Sequence, residues 1–302
     1  MNESRETGAV VAKTLVPLLG LTWGLNWIAT RFALDDIPLW PLRSIGLGLG
    51  AATLFAVAAL RRSSLRIPAG QRLHVFIAGF FNVALYNAMN AYAQSTGATS
   101  RAVVVAYTMP IWSTLLAAPV LGERLTRIRI VALILCAGGL TILVEPLFAE
   151  GFPLGAFYAL VCALSWALGT IYLKWARIAA EPLTSAAWQL LAGFGFITAA
   201  MLVFDGLPTA WPVHALSTAG LVYNGLVGFG LAYLIWFIIV ERLPTATASI
   251  GSLLVPVVGF VAAILLLGER PTINDVVGFA MIFAAAACVL LQPSTRPKSS
   301  TE

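Results

Sequence analysis

The residues best suited to chemistry form a polar stripe inside an apolar stretch, LTWGLNWIATR, at residues 21–31. Trp23, Asn26, Trp27, Thr30 and Arg31 follow the i, i+3, i+4, i+7, i+8 spacing of one helix face. Indole rings, an amide and a hydroxyl can stack on a small organic solute and hydrogen-bond to it. They supply neither a nucleophile with its base nor a set of metal ligands. The stripe therefore suits the binding of a solute better than covalent catalysis.

Similar side chains recur in other apolar stretches of the chain. A polar group that faces lipid is costly, so these side chains are expected to point inward and to mark a solute pathway. The predicted substrate-binding residues are Trp23, Asn26, Trp27, Asn82, Tyr86, Asn90, Tyr107, Trp166, Trp188, Tyr223, Tyr233, Trp236 and Ser252. For each of them two roles stay open, contact with a solute or a hydrogen bond between helices.

The stretches that carry these residues are long enough to span a membrane. Of the 302 residues, 60% are hydrophobic and 10% are charged, against about 45–50% and about 25% in soluble domains. A spanning helix needs about 20 apolar residues. Such runs lie near 14–34, 39–60, 73–93, 99–121, 128–146, 153–174, 183–204, 214–239, 245–267 and 274–292. The sequence therefore predicts an all-α integral membrane protein with ten transmembrane helices.

Basic residues give the expected orientation. With the amino terminus in the cytoplasm, fourteen of the eighteen Lys and Arg residues fall on the cytoplasmic side, as the positive-inside rule requires. Both termini are then cytoplasmic. Arg31, Arg43 and Arg101 are predicted to gather at the outer mouth, either to hold a substrate carboxylate or to snorkel to the headgroups. His74, at the start of the third span, is a candidate proton carrier, with an interfacial hydrogen-bonding role as the alternative.

The two halves of the chain resemble each other. Pro110 matches Pro256, and LGER at 121–124 matches LGER at 267–270, at an offset of 146 residues. The predicted domains are two five-helix repeats, 14–146 and 153–292. Because five is odd, the second repeat must be inserted upside down, an arrangement typical of secondary transporters. Both prolines remove a backbone hydrogen bond and are predicted hinges, with a static bend as the alternative.

Several of these features occur together in one family of membrane proteins. They are Trp23 and Gly24 in the first span, the prolines in the fourth and ninth spans, and the Gly-Glu pair that ends both. On these residues the chain resembles the drug/metabolite transporter superfamily, and within it the EamA-type exporters of the bacterial inner membrane, over residues 14–292. The resemblance implies a cavity lined by spans one to four and six to nine. The aromatic-rich spans look most like the aromatic amino acid exporters.

The positions of the acidic residues limit which class of solute the protein is expected to carry. All thirteen Asp and Glu residues fall in connections, tails or span ends, so no carboxylate is expected in the middle of the membrane. A pump for cationic drugs generally needs such a carboxylate, and neutral or zwitterionic solutes are therefore favoured. The three cysteines lack C-x-x-C spacing, and P-loop and zinc-protease motifs are absent. No metal and no cofactor are expected.

The expected function is export of small organic metabolites, amino acids first and aromatic ones among them, by alternating access. The rivals are an exporter of drugs or nucleoside-like solutes, an intramembrane enzyme and a receptor. The expected partners are a small-molecule substrate and the lipid bilayer, without nucleic acid. A monomer is one option for the oligomeric state. The substrate, the coupling to protons and the net direction stay open.

Overall fold

The computed structural model of the protein describes residues 2–122, 126–150, 152–207, 214–242 and 245–290. Within these ranges, the side chains of 2–13, 110, 150, 237, 240–242, 245–253 and 289–290 are not described. This part of the chain forms ten helical segments and contains no strand. The segments are α1 (Asn2–Ala33), α2 (Leu39–Leu60), α3 (72–96), α4 (Thr99–Leu121), α5 (Arg127–Val144), α6 (Leu154–Ala176), α7 (Pro182–Phe204), α8 (215–242), α9 (Thr245–Leu267) and α10 (Ile273–Leu290).

Six helices in the described part are long and apolar enough to cross a membrane. They are α2, α4, α5, α6, α7 and the segment Ala215–Trp236 of α8. α9 and α10 contain shorter apolar stretches, Leu254–Leu267 and Ile273–Cys288. α3 is less apolar because it carries three asparagines and a glutamine, all of them buried inside the bundle. The protein is a multi-pass membrane protein, and the number of ten spans stays a prediction.

The helix connections lie at two opposite ends of the bundle. At one end, the Thr184 hydroxyl at the start of α7 donates to the Ser64 carbonyl oxygen in the α2–α3 connection, at 2.8 Å. At the other end, the backbone N–H of His214 before α8 donates to Asp36 in the α1–α2 connection, at 2.9 Å. We call these ends the predicted inner face and the predicted outer face, because the sequence-based topology places the first in the cytoplasm.

α5 and α10 pack against each other in opposite directions. Leu143 lies beside Gly278, and Gly139 lies beside Ile282, so the end of α5 meets the start of α10. The helices come so close that a Cβ atom added at Gly139 would lie 2.8 Å from the carbonyl oxygen of Gly278. These are the last helices of the two predicted repeats, and two inverted repeats would pair them in this antiparallel way.

Replacing Gly139 by alanine should destabilise the protein, whereas the same change at Gly138 should cost little. A Cβ at 139 would meet the backbone oxygen of Gly278, while a Cβ at 138 would meet only Met281 Cε, the end of a flexible side chain. Overpacking costs about 1–3 kcal/mol, so Gly139→Ala should unfold several degrees below Gly138→Ala in a detergent thermal-shift assay. Equal unfolding temperatures would contradict the close contact between α5 and α10.

Three helices are irregular in their middle. α3 contains a π-helical segment at Phe80–Leu85, and α8 contains one at Tyr223–Leu231. α4 breaks at Tyr107 and Thr108, directly before Pro110. A π-helical turn holds an extra residue, so it changes the direction in which the following side chains point, and such turns are frequent at functional sites.

Candidate functional site

A central cavity of about 400 Å³ lies between α1–α6 and α8. Its volume suits a small organic molecule. Nine of the predicted substrate-binding residues line it, namely Trp23, Asn26, Trp27, Tyr86, Asn90, Tyr107, Trp166, Tyr233 and Trp236. The cavity is therefore formed by residues from both halves of the chain.

Aromatic rings form two walls of the cavity. Trp23 packs edge-to-face against Tyr233, with ring centroids 5.7 Å apart, and against Trp236 at 5.9 Å. The Trp23 indole N–H also donates to the Gly228 carbonyl oxygen, at 3.1 Å. Tyr86 and Trp166 form the second wall, with ring centroids 5.0 Å apart. The rings are held by one another, so they offer flat apolar surfaces in fixed positions.

A chain of hydrogen bonds crosses the end of the cavity nearer the predicted outer face. The Asn224 side-chain amide donates to Asn26 Oδ1 at 3.0 Å and to Thr30 Oγ1 at 3.1 Å. Arg43 continues the chain, because its Nη1 donates to Thr30 Oγ1 at 3.4 Å and its Nη2 donates to Asn90 Oδ1. The amides and the guanidinium thus tie α1, α2, α3 and α8 together.

The charges along the cavity are all of one sign in the part of the chain that the structure describes. Arg43, Arg129 and Lys174 line it, and none of its lining residues is an Asp or a Glu. Arg43 is only 1% exposed, whereas Lys174 is exposed at the predicted inner face. The cavity is therefore closed at its Arg43 end and open at its Lys174 end.

Asn82 was predicted to line the solute pathway with Tyr86 and Asn90, but it is not among the residues that line the cavity. Its amide N–H donates to Gln189 Oε1 on α7 at 3.2 Å, and its side chain packs against Gly169 of α6. The physical reason is the π-helical segment of α3, which starts before Asn82 and ends before Tyr86. It breaks the four-residue spacing on which the prediction depended.

Trp188 and Tyr223 were also predicted cavity residues, and the structure places both elsewhere. The Trp188 indole N–H donates to the Leu65 carbonyl oxygen at 3.0 Å, so it ties α7 to the α2–α3 connection. The Tyr223 hydroxyl donates to the Thr22 carbonyl oxygen at 3.2 Å and ties α8 to α1. Neither residue lines the cavity, and a role for them in substrate binding stays a prediction. The predicted side chain of Ser252 lies outside the described part.

The two predicted hinges differ in their surroundings. The backbone of Pro110 follows the break at Tyr107 and Thr108, where the Thr108 hydroxyl donates to the Val105 carbonyl oxygen at 2.7 Å. The Pro110 side chain lies outside the described part. Pro256 is buried within α9, which continues unbroken from Thr245 to Leu267. Only one of the matched prolines thus lies at a helix break, and hinge motion stays a prediction.

The three arginines predicted at the outer mouth have different hydrogen-bond partners. Arg31 pairs with Asp35 at 2.6 Å, and both side chains are exposed. Arg101 pairs with Asp275 through two hydrogen bonds, at 2.7 and 3.0 Å. Arg43 lies in the cavity wall. Each guanidinium has its own set of neighbours on other helices or connections, and a common site at the outer mouth stays a prediction.

His74 lies at the predicted inner face, outside the residues that line the cavity. Its Nδ1 shares a hydrogen bond of 2.7 Å with the Tyr172 hydroxyl, and its ring packs edge-to-face against Trp175. The role of proton carrier stays a prediction. These contacts match the alternative, a hydrogen-bonding residue near the membrane interface.

The second half of α4 contributes lining residues that the sequence analysis did not select. They are Met109, Ser113, Thr114 and Ala117. Their i, i+4, i+5, i+8 spacing was a usable signal, because two of them are hydroxyl residues in an apolar span. The break before Met109 rotates this half of the helix against the first half, so the pattern does not continue from Tyr107.

Comparison with known proteins gives the family. The EamA-like transporter family matches the chain twice, over residues 12–145 and 153–291. YoaV, an uncharacterized transporter of Bacillus subtilis (strain 168), is 26% identical over 278 residues, which cover 90% of this chain and 94% of YoaV. A probable amino-acid metabolite efflux pump of Escherichia coli (strain K12) is 28% identical over 281 residues, covering 89% and 91% of the two chains.

A solved crystal structure shares the fold. It is 23% identical in sequence, has a TM-score of 0.66, and the match covers 92% of this chain and 97% of that one. The two family matches together span most of the helices described above, including every helix that lines the cavity. The protein therefore belongs to the EamA-like transporter family.

Proposed function

We propose that the protein exports small organic metabolites, amino acids and aromatic ones among them, by alternating access. The observation that carries this proposal is the central cavity, which has aromatic walls, amide and hydroxyl groups at one end, and no acidic residue among its described lining. Such a surface stacks on a ring and hydrogen-bonds a few polar groups. The printed name of the Escherichia coli relative, an amino-acid metabolite efflux pump, supports the same substrate class.

Alternating access requires two related halves of opposite orientation. The proposed halves are 14–146 and 153–292, in a ten-span bundle with both termini in the cytoplasm of a bacterium and the spans in its inner membrane. Support comes from the double family match and from the antiparallel pair of α5 and α10. The cavity opens toward the predicted inner face, which is the side from which an exporter binds its substrate.

The rival within transport is an exporter of drugs or nucleoside-like solutes. A cationic drug fits poorly, because the described charges along the cavity are Arg43, Arg129 and Lys174. Neutral nucleosides fit better, since they also stack and hydrogen-bond. Competition by nucleosides against labelled phenylalanine in proteoliposomes separates the two, because only a shared site would let them compete.

Replacing Trp166 by alanine should reduce phenylalanine flux in proteoliposomes by about tenfold, since an aromatic contact contributes about 0.5–1.5 kcal/mol beyond its buried area. Trp166 lines the cavity and packs on Tyr86. Trp188→Ala is the matched control, because this tryptophan ties α7 to a connection and does not line the cavity. Flux is compared at equal amounts of folded protein, measured by thermal shift.

The two variants together test whether the aromatic wall belongs to the substrate pathway. Equal flux in Trp166→Ala and Trp188→Ala would remove the aromatic wall from the substrate pathway. A wild-type protein that binds phenylalanine but moves none of it would favour a receptor over a transporter.

A further inference from the structure

Arg43 is the largest fully buried side chain of the described bundle, with 1% of its surface exposed. Its hydrogen-bond partners are the neutral groups of Thr30 and Asn90. Its Nε atom is buried and has no partner. No described Asp or Glu forms an ion pair with it. The guanidinium is therefore a buried positive charge, and one of its three nitrogen atoms, Nε, has no hydrogen-bond partner.

A buried charge without a counter-ion is unfavourable, and proteins normally pair such a charge or place it where a ligand completes the site. Arg43 lines the central cavity, so a carboxylate bound there would lie next to this residue. Arginine presents several N–H donors in one plane, and this geometry matches the two oxygens of a carboxylate. The missing counter-ion can thus be part of the solute.

On the basis of the proposed transport function, we infer that Arg43 binds the carboxylate of the transported solute, and that the cavity accepts small aromatic carboxylic acids whether or not they carry an amino group. The carboxylate lies at the closed end of the cavity. Thr30 and Asn90 hold the guanidinium in place. The solute then extends toward the open end.

The aromatic walls lie where the rest of such a solute would extend. Asn90, which holds Arg43, is one helical turn beyond Tyr86 on α3, and Tyr86 packs on Trp166 at 5.0 Å. A ring attached to the carboxylate by a short chain reaches these two rings. The cavity therefore recognises an acid group at one end and a flat apolar group beyond it.

The charged groups along the cavity do not favour a positively charged amino group. No described carboxylate lines it, and Lys174 at the open end has the same sign as an ammonium. Three asparagines line the cavity. Asn26 Oδ1 already accepts from Asn224, and Asn90 Oδ1 accepts from Arg43 and Gln94, so Asn87 Oδ1 is the amide oxygen left for an ammonium. Recognition therefore depends on the acid, and the amino group of an amino acid is tolerated without being required.

A set of four related compounds tests this inference on the full-length protein. They are phenylalanine, 3-phenylpropionate, phenylalaninamide and phenethylamine, which differ in the presence of the carboxylate and the amino group. Binding is measured by quenching of tryptophan fluorescence in detergent, and transport is measured in proteoliposomes. We expect both acids to bind and to be transported, and the amide and the amine to bind at least roughly 30-fold more weakly.

Two substitutions test the role of Arg43 itself. Arg43→Gln should weaken the binding of both acids by roughly 30- to 100-fold, because it removes the charge that pairs with the carboxylate. Arg43→Met should lose acid binding to the same extent while its unfolding temperature stays equal or rises, since an apolar residue of similar size removes a buried charge. Arg31→Gln, which changes an exposed arginine paired with Asp35, should leave the binding of both acids unchanged.

The results that test the role of Arg43 can be told apart from the results that test export. Binding of the amine as tight as that of the acids, or wild-type acid binding by Arg43→Gln and Arg43→Met, would overturn the role of Arg43 while leaving export intact. Acid binding that depends on Arg43 without any movement of solute would support the site and contradict the proposed export.

Discussion

Replacing Arg101 by alanine should shift the protein strongly toward a conformation that is open at the predicted outer face. Arg101 on α4 donates two hydrogen bonds to Asp275 on α10, at 2.7 and 3.0 Å. The Asp275 side chain is only 4% exposed, so the substitution leaves a buried carboxylate without its counter-ion. In the outward-open conformation that the proposed alternating access requires, we expect that carboxylate to reach water. The variant should therefore favour opening.

The expected change in the ratio of conformations depends on the hydrogen bonds that Asp275 keeps when Arg101 is removed. Loss of one partner of a fully buried pair costs about 3–5 kcal/mol. Arg101 is 28% exposed, and Asp275 keeps hydrogen bonds from the backbone and the hydroxyl of Thr272, at 2.7 and 2.9 Å. We therefore expect the conformation that is closed at the predicted outer face to lose about 2 kcal/mol of stability. This loss changes the ratio of the two conformations by about 30-fold.

Spin labels on Thr96 and Ile273 would measure this shift. Both residues are exposed at the predicted outer face, one at the end of α3 and the other at the start of α10. Pulsed electron-spin distance measurements in nanodiscs should show a longer distance gaining population in Arg101→Ala. The labels report on the separation between the α3–α4 connection and the start of α10, because Thr96 ends α3 shortly before Arg101 and Ile273 lies two residues before Asp275.

Arg31→Ala is the matched control for this experiment. Arg31 is also an arginine at the predicted outer face, but its pair with Asp35 is exposed and only four residues apart in the sequence. Exposed pairs contribute about 0–1 kcal/mol, so the distance distribution should not change. If Arg101→Ala kept the wild-type distances and only lowered the unfolding temperature, the pair would be a static contact present in every conformation.

The sequence predicted the cavity best where helices are regular. α1 is unbroken from Asn2 to Ala33, so the helical period correctly placed Trp23, Asn26 and Trp27 on one lining face. In α3 the same reasoning failed for Asn82. The π-helical turn is accompanied by contacts between helices, such as the packing of Asn82 against Gly169. A local residue pattern does not predict such contacts.

Arg43 shows a second limit of sequence reasoning. Its position near the start of a span predicted a residue at the outer mouth, where it would hold a substrate carboxylate or reach the headgroups. In the structure, Thr30 and Asn90 from two other helices hold it inside the bundle. Those partners lie 13 residues before it and 47 residues after it. Charge and span position alone cannot give a contact that depends on how three helices pack.

Removal of the Glu269 carboxylate should also favour opening at the predicted outer face. Glu269, in the α9–α10 connection, accepts hydrogen bonds from the backbone N–H groups of Thr99 and Ser100, at 2.7 and 2.9 Å. These groups begin α4, and the start of a helix favours a negative charge. Glu269→Ala removes this cap. We therefore expect the conformation that is closed at the predicted outer face to lose about 2 kcal/mol of stability.

The sequence repeat gives this contact a counterpart at the other face. At the offset of 146 residues, Glu123 corresponds to Glu269, and Thr245 and Ala246 correspond to Thr99 and Ser100. Glu123 lies outside the described residues, so its role comes from the repeat alone. If the halves exchange conformations, Glu123 caps the start of α9 when the predicted inner face closes. Its removal should then favour the inward-open conformation.

Glu123→Ala and Glu269→Ala should therefore shift the same equilibrium in opposite directions. The Thr96–Ile273 distance should lengthen in Glu269→Ala and lose any long component in Glu123→Ala, with each variant changing the ratio of conformations by about 5- to 30-fold. Glu181→Ala is a suitable control, because this exposed glutamate precedes α7 without a side-chain bond to the helix start. Shifts of the same sign in both variants would contradict an exchange of caps between inverted halves, since only opposite orientation makes two identical residues act against each other.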